Sequence, residues 1–210
     1  MGKVAFLFAG QGAQHPGMGA GIAAASPAAR AVFDAADSVR PGTFEQCCQG
    51  TKEELSQTEN TQPCVFATDL ACARALEERG VEPDVVAGFS LGEVAALTFA
   101  GAFSAKKGFE LVCRRAELMA AAASSHPGAM RAVVKLDAAR VEELAAEAAC
   151  QADGDCWPVN YNSPMQTVVA GSPTACEKLD ELVREAGGRA MKVAVSGAFH
   201  SPYMADAAAG

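Results

Sequence analysis

Histidine is scarce in this 210-residue sequence, and its eight cysteines lack the spacing of a metal-binding motif. The three histidines are scattered at positions 15, 126 and 200, and no two cysteines form Cys-x-x-Cys. Zinc sites and thiol redox motifs need such clusters. We therefore expect no metal and no redox cofactor, and we interpret the cysteines as reduced structural thiols of a cytoplasmic protein.

Long apolar runs and an excess of basic charge are also missing. No apolar stretch approaches the roughly 20 residues that span a bilayer, and the first residues do not resemble a signal peptide. The 25 acidic and 17 basic side chains give a net charge of −8, which argues against nucleic acid or an anionic membrane as a partner. Half of the residues are hydrophobic, so we expect a soluble globular enzyme, and we expect it to be a monomer.

The most informative motif is Gly88-x-Ser90-x-Gly92. It follows the apolar run 85–87 directly and precedes an alanine- and leucine-rich helical stretch. A strand, a sharp turn that carries a serine, and a helix make up the nucleophile elbow. Glycines permit the tight turn, and the helix N-terminus offers backbone N–H groups to a developing oxyanion. The motif predicts that Ser90 is a nucleophile, and the alternative is a plain strand-to-helix turn.

A glycine-rich loop over residues 10–19 follows a short apolar run, 3–8, that predicts the first strand. Neither a Walker motif nor Gly-x-Gly-x-x-Gly fits the loop, although a phosphate cradle is one interpretation. We favour a loop over an active site, in which Gln11 is a hydrogen-bond donor.

Two adjacent arginines in the predicted helix 104–123 face different surroundings. Arg114 has glutamates at i−4 and i+3 and can pair locally. Arg115 has apolar residues at positions 111, 112, 118 and 119, so it lies on the apolar side of the helix. A charge facing a core needs a partner. That partner is either a distant acidic side chain or the carboxylate of a substrate, and spacing alone leaves both open.

The second half of the chain predicts a β-α-β-β-α-β order. Strands are expected at 129–136, 157–161, 166–170 and 189–195, and helices at 137–150 and 172–186. This order is that of the split βαβ, ferredoxin-like arrangement. We expect an α/β fold with two domains, a larger one formed by 1–127 and 197–210 and a small inserted one formed by 128–196.

His200 follows the last predicted strand in a loop rich in Gly, Ser and Pro. A lone histidine is often structural, but a serine nucleophile upstream needs a base. We predict that His200 is that base, although no acidic residue is placed to orient it.

Together, these motifs resemble malonyl-CoA:acyl carrier protein transacylases and the related acyltransferase domains of polyketide synthases. The resemblance covers the whole chain. It is carried by Gly10-Gln11-Gly12-Ala13-Gln14, Asn60-Thr61-Gln62-Pro63, Gly88-Phe89-Ser90-Leu91-Gly92-Glu93, Arg115, Asn160-Tyr161-Asn162-Ser163-Pro164 and Ala198-Phe199-His200-Ser201-Pro202.

The resemblance implies an α/β-hydrolase-like larger domain with a parallel sheet, and a role for each motif. Ser90 accepts the acyl group and His200 is its general base. The backbone N–H groups of Gln11 and Leu91 form the oxyanion hole. Arg115 pairs with the free carboxylate of malonate, for which a planar guanidinium suits better than a lysine.

Further substrate-binding residues are implied by the same resemblance. Asn160 and Asn162 shape the pocket, although turn chemistry also explains Asn162. Gln166 and Arg189 match positions that line the channel for CoA and the carrier protein. Phe199 matches the malonyl-selective form of its loop, where the ring crowds a 2-methyl branch.

The implied function is transfer of a malonyl group from malonyl-CoA to acyl carrier protein in fatty acid or polyketide synthesis, without a cofactor. The alternatives are a serine hydrolase such as a thioesterase, and an inactive truncated carrier-binding module. Two departures stand out. Phe89 occupies a position that is usually histidine, and family members are longer. We expect their further C-terminal segment to close the larger domain and to supply the carbonyl that orients His200.

Overall fold

The computed structural model describes residues 2–195 and 197–210, in two compact units that divide between Glu117 and Leu118. Met1 and Ser196, which bound two of the expected domain segments, lie outside the described residues. The domain division 1–127 with 197–210 against 128–196 stays a prediction. The mixture of helices and strands is the α/β composition expected from the sequence.

The first unit is built on a pair of parallel strands covered by helices. Its elements are β1 (Ala5–Phe8), α1 (Ala20–Ala25), α2 (Pro27–Val39), α3 (Thr43–Gln49), α4 (Lys52–Leu55), α5 (Thr58–Glu78), β2 (Val85–Gly88), α6 (Leu91–Phe99) and α7 (Ala105–Ser125), the last of which continues into the second unit. β1 and β2 pair in parallel with Phe8 opposite Gly88. The expected first strand and elbow strand are thus confirmed, and their carboxyl ends meet at one edge.

Side-chain caps set two of the helix starts of this unit. The Ser26 side chain accepts a hydrogen bond from the Ala29 N–H, with Pro27 in the first helical position. Thr51 and Glu54 form a reciprocal capping box at α4. Both caps satisfy N–H groups that have no partner inside the helix.

The second unit contains a four-stranded antiparallel sheet with two long helices. Its elements are β3 (Ala129–Val134), α8 (Ala138–Ala152), β4 (Cys156–Ser163), β5 (Gln166–Gly171), α9 (Pro173–Glu185), β6 (Arg189–Lys192), a 3₁₀ turn (Pro202–Met204) and α10 (Ala205–Ala209). The strand order is β4-β5-β3-β6, and all neighbours are antiparallel. The element order predicted for this region is confirmed.

Two of its strands end earlier than the sequence predicts. β3 stops before Lys135, whose φ of 71° leaves the extended region. β6 stops at Lys192 because the Val195 N–H bonds to the Val193 carbonyl and turns the chain back on itself.

Buried thiols lie in both units, and all eight cysteines are free. The hydrogen bond to Cys64 and then burial raise the pKa of the Cys47 thiol, and the hydrogen bond to Cys176 and then burial raise the pKa of Cys156. Protonated buried thiols are poor nucleophiles, which agrees with a structural role for these two.

Within the described residues, no helix is both long enough and apolar enough to cross a membrane.

Asp69 carries a half-buried carboxyl group on α5. Burial raises its pKa to about 7, and a hydrogen bond from the Ala9 N–H opposes this rise. Because the folded-state pKa is raised, between pH 4 and about 7 the folded chain holds a proton that the unfolded chain has released. The free energy of unfolding therefore falls as pH rises through that window, and the loss is complete above it.

Asp69→Asn is accordingly expected to raise the free energy of unfolding at pH 8 by about 1–3 kcal/mol. At pH 3 the gain should nearly vanish, since the carboxyl is then largely neutral in both states. Urea unfolding at the two pH values measures the difference. An equal effect at both would show that Asp69 does not carry the pH dependence.

Candidate active site

Ser90 stands at a strained turn between β2 and α6. Its φ and ψ are 55° and −108°, a backbone conformation that residues other than glycine rarely adopt. Ser90 is also the N-cap residue of α6. The Phe89 N–H bonds to the Phe8 carbonyl at 3.1 Å, so the strand pairing extends up to the turn. The strand, the turn and the helix predicted around Ser90 are thus confirmed.

The two glycines of the motif are required by close backbone contacts. A Cβ on Gly88 would lie 2.1 Å from the Gly92 carbonyl carbon, and a Cβ on Gly92 would lie 2.3 Å from the Phe8 oxygen. Both distances are far below ordinary van der Waals contact. The spacing Gly88-x-Ser90-x-Gly92 therefore lets α6 pack directly on the ends of both strands.

Gly88→Ala is expected to lower the free energy of unfolding by about 3 kcal/mol or more, because only backbone movement relieves the clash. Gly21→Ala is the matched control. Gly21 lies in α1, where a Cβ meets nothing within 4 Å, and it should be neutral or stabilise by up to about 1 kcal/mol. Urea unfolding of both variants measures the two changes in the free energy of unfolding. Equal changes would contradict the close packing of α6 on the ends of β1 and β2.

Arg115 reaches the nucleophile from α7. Its Nη2 donates to the Ser90 Oγ at 3.1 Å, and its Nη1 donates to the Gln62 Oε1. Burial lowers the pKa of Arg115, while the charge of Glu93 opposes this effect. Among the described residues, Arg115 forms no salt bridge with a carboxylate. The distant ion pair weighed from the sequence is thus not found there, and this half-buried cation faces neutral oxygens.

The glycine-rich loop lies against the elbow. A Cβ on Gly10 would be 2.6 Å from the Phe89 ring and 2.8 Å from the Phe89 carbonyl oxygen, so only glycine fits here. Gln11 follows in a turn, and its Nε2 donates to the Thr58 Oγ1 at 3.2 Å. The side chain of Gln11 is thereby fixed to α5. The backbone N–H of Leu91 belongs to the first turn of α6, where such groups have no partner within the helix.

The sequence did not predict that Gln62 would contact Arg115 or that Thr58 would contact Gln11. Gln62 is fully buried on α5 and accepts from Arg115, while Thr58 begins the same helix. A signal was present, since Gln62 lies within the Asn60-Thr61-Gln62-Pro63 motif that carries the family resemblance, directly before an apolar stretch.

The second unit carries His200 and Phe199. His200 has a φ of 63° and is exposed. Phe199 is buried among the apolar side chains of its own unit. The loop is held by Ser201, whose Oγ donates to the Ala198 carbonyl oxygen at 2.5 Å and accepts from the Tyr203 N–H at 3.3 Å. The loop therefore fixes the backbone on both sides of His200.

Other predicted site residues lie on the sheet of the second unit. Asn162 Nδ2 donates to the Gln166 Oε1 at 3.2 Å, so the ends of β4 and β5 are tied together. Asn160 lies on β4 beside an irregularity in the pairing, opposite Val168. Arg189 begins β6 and is exposed.

Residues 2–195 and 197–210 contain no group of three or more His, Cys, Asp or Glu side chains that could hold a metal ion.

Comparison with known proteins gives consistent matches. Residues 5–210 match the acyl transferase domain family. The malonyl CoA-acyl carrier protein transacylase of Bacillus subtilis is 38% identical over 210 residues, 99% of this chain and 66% of the relative. The Escherichia coli K12 protein of the same name is 36% identical over 99% of this chain and 68% of the relative.

Solved structures agree with the sequence matches. The crystal structure of malonyl CoA-acyl carrier protein transacylase from Clostridium perfringens has a TM-score of 0.92 and 36% identity, over 99% of this chain and 66% of that one. A malonyl-transacylase in complex with its type II polyketide synthase acyl-carrier protein has a TM-score of 0.92 and 36% identity. The match covers 99% of this chain and 68% of that chain. The chain thus spans about two thirds of the length of these relatives.

Proposed function

Because the chain belongs to the acyl transferase domain family, we propose that it transfers a malonyl group from malonyl-CoA to the phosphopantetheine thiol of an acyl carrier protein. Ser90 carries the group as an ester between the two steps. The observation that carries the proposal is the hydrogen bond from the Arg115 guanidinium to the Ser90 Oγ, since it places a cation beside the nucleophile.

Arg115 is suited to hold the free carboxylate of the malonyl group. Guanidinium stays protonated at any physiological pH, and here burial makes its charge costly. The two side chains that accept its hydrogen bonds, Gln62 and Ser90, are neutral. A carboxylate brought by the substrate would supply a counter-charge in direct contact with the guanidinium, in the bidentate geometry that arginine favours.

The oxyanion of the tetrahedral intermediate would rest on the backbone N–H groups of Leu91 and Gln11. Leu91 is the first residue of α6, so the partial positive charge of the helix N-terminus adds to its N–H. Gln11 lies on the loop that packs against Phe89 through Gly10. Fixed donors of this kind stabilise the developing charge without reorganisation during the reaction.

His200 is proposed as the general base. It would take the proton of the Ser90 hydroxyl as the Oγ attacks the thioester carbonyl, and return it to the leaving CoA thiolate. In the second half-reaction it would take the proton of the carrier thiol as the sulfur attacks the ester, and it would return that proton to the Ser90 Oγ as the ester bond breaks. The resemblance of the Ala198–Pro202 segment to the family motif supports this role.

The remaining predicted residues complete the proposal. Asn160 and Asn162 shape the acyl pocket, Gln166 and Arg189 contact CoA or the carrier protein, and Phe199 limits branching of the acyl chain. The interaction of Asn162 with Gln166 supports a fixed position for this pair.

At the level of architecture, we propose an α/β-hydrolase-like catalytic domain formed by 1–127 and 197–210 and a ferredoxin-like domain formed by 128–196. The antiparallel order β4-β5-β3-β6 with two helices supports the second assignment. The parallel pair β1–β2 with its elbow supports the first.

Acyl carrier protein as the partner is supported by the names of the relatives, one of which was solved in complex with such a carrier. The relatives also connect the family with both fatty acid and polyketide synthesis. The monomeric state and the cytoplasmic location stay predictions.

The experiment is to incubate the chain with malonyl-CoA and to follow its intact mass. We expect one malonyl adduct, which remains on the protein when the protein is denatured in the absence of hydroxylamine. The thiol of a phosphopantetheinylated carrier protein should remove it. Immediate release of free malonate would identify a serine hydrolase. A chain that binds the carrier protein but never forms an adduct would be the inactive module.

A further inference from the structure

A cavity in the second unit is lined by none of the residues that the proposed function assigns to acyl transfer. It has a volume of about 460 Å³ and lies between the start of β4 and the 3₁₀ turn that leads into α10. Pockets of this size bind small molecules. The lining contains the rings of His126, Trp157 and Tyr203 and the carboxylates of Asp155 and Asp206.

The three rings of the cavity are packed around Tyr203. The centroid of its ring lies 5.7 Å from that of His126, and it lies 5.4 Å from that of Trp157, which meets it edge to face at 80°. The Tyr203 hydroxyl donates a hydrogen bond to the Asp155 Oδ2 at 2.9 Å. Burial and then this hydrogen bond raise the pKa of Tyr203, so the hydroxyl stays protonated and keeps its donor role. The rings and one carboxylate are thus held in place by contacts within the unit.

The charge of the cavity is negative. Asp155 and Asp206 are exposed, and neither forms a salt bridge with a residue in the described part of the chain. The described residues that line the cavity include no lysine and no arginine. Carboxylates in a concave site attract cations from solution, and the faces of aromatic rings attract them as well. The two kinds of group therefore favour the same class of ligand.

We propose that this cavity binds a small organic cation with an alkylated ammonium group, held between the aromatic rings and the carboxylate of Asp206. The alkyl groups of such a cation suit the rings, while its charge suits both the ring faces and the carboxylates. A neutral molecule of the same shape would keep only the apolar contacts, and an anion would be repelled. The inference is independent of the proposed function, because it uses none of the residues of the transfer reaction.

The test uses Trp157, the only tryptophan of the chain, as its reporter. Its fluorescence is titrated with choline and, in parallel, with dimethylbutanol, the neutral alcohol in which a carbon replaces the choline nitrogen. Sodium chloride keeps the ionic strength constant, because salt screens the attraction. Saturation-transfer NMR of the choline methyl signal measures the same binding without fluorescence.

Three variants separate the contributions to binding. Asp206→Asn removes one carboxylate from the cavity, and Tyr203→Leu removes the central ring. Glu185→Gln is the control, since it removes an exposed carboxylate of the same unit that does not line the cavity. Circular dichroism establishes that each variant is folded.

The wild type should bind choline at least about fivefold more tightly than dimethylbutanol, since only choline carries the charge. Asp206→Asn should weaken choline binding about three- to fivefold and leave that of the alcohol unchanged, and Tyr203→Leu should weaken choline binding about tenfold or more. Glu185→Gln should change neither affinity. Equal affinities of the wild type for choline and the alcohol, or no binding of choline up to about 100 mM, would overturn the inference. Unchanged choline binding in Asp206→Asn would overturn it too, because the cation would then lie elsewhere.

Discussion

Arg115→Ala is expected to lower the rate of malonyl loading on Ser90 by about 10²–10³-fold, since truncation of a half-buried charge that pairs with a carboxylate costs 2–5 kcal/mol. Loading from acetyl-CoA should change by less than about tenfold, because that donor has no free carboxylate to pair with. The malonyl-loading rate of Arg115→Lys should lie between those of the wild type and Arg115→Ala, since the lysine ammonium cannot reproduce the bidentate geometry. Stopped-flow mixing with intact-mass detection measures all these rates.

Arg114→Ala is the matched control for the loss of a positive charge from α7. Arg114 is exposed, and its Nη1 lies 3.8 Å from the Glu117 Oε2. Arg114→Ala should therefore leave the malonyl- and acetyl-loading rates unchanged. Equal losses of malonyl and acetyl loading in Arg115→Ala would remove the role in carboxylate recognition and leave only a structural one.

Ser90→Ala is expected to abolish the malonyl adduct, with a loss of at least about 10⁴-fold in loading, since no other hydroxyl takes its place at the elbow. Ser90→Gly should lose loading to the same extent. The two variants should differ in stability, because glycine tolerates the positive φ of 55° and alanine does not. We expect glycine to be the more stable by about 1 kcal/mol.

Urea unfolding and intact mass, measured on both variants, separate the two contributions of Ser90. An adduct that persists in Ser90→Ala would place the acyl group on another residue, with the eight thiols as the first candidates. Equal stability of the two variants would mean that the turn is not strained.

The sequence predicts those parts of the fold that local chemistry determines. The start of α2 follows from Ser26 and Pro27, and α4 follows from the box of Thr51 and Glu54. The elbow follows from glycines at positions where a Cβ would meet backbone atoms. Each of these signals lies within a few residues of the structure that it determines.

Two short helices escaped prediction because they lack such signals. α1 and α3 begin after Gly19 and Gly42, which are in the left-handed conformation and provide no side-chain cap. Neither helix offers an N-cap serine, threonine, aspartate or asparagine ahead of an apolar period.

The candidate site shows the same limit. The spacing of α7 shows that Arg115 faces the apolar side of its helix, but not that it meets Gln62, which is 53 residues earlier in the chain. Side chains that meet only through the packing of α5, α6 and α7 need the structure to be found.

In the proposed mechanism, the malonyl group on Ser90 is passed to a thiol and not to water. The most direct measurement is a single-turnover experiment, in which the malonyl-loaded chain is mixed with phosphopantetheinylated acyl carrier protein and the products are followed by mass. We expect the malonyl-carrier to form much faster than free malonate, and we expect the ester to persist without the carrier. Release of free malonate at one rate, with or without the carrier, would contradict it.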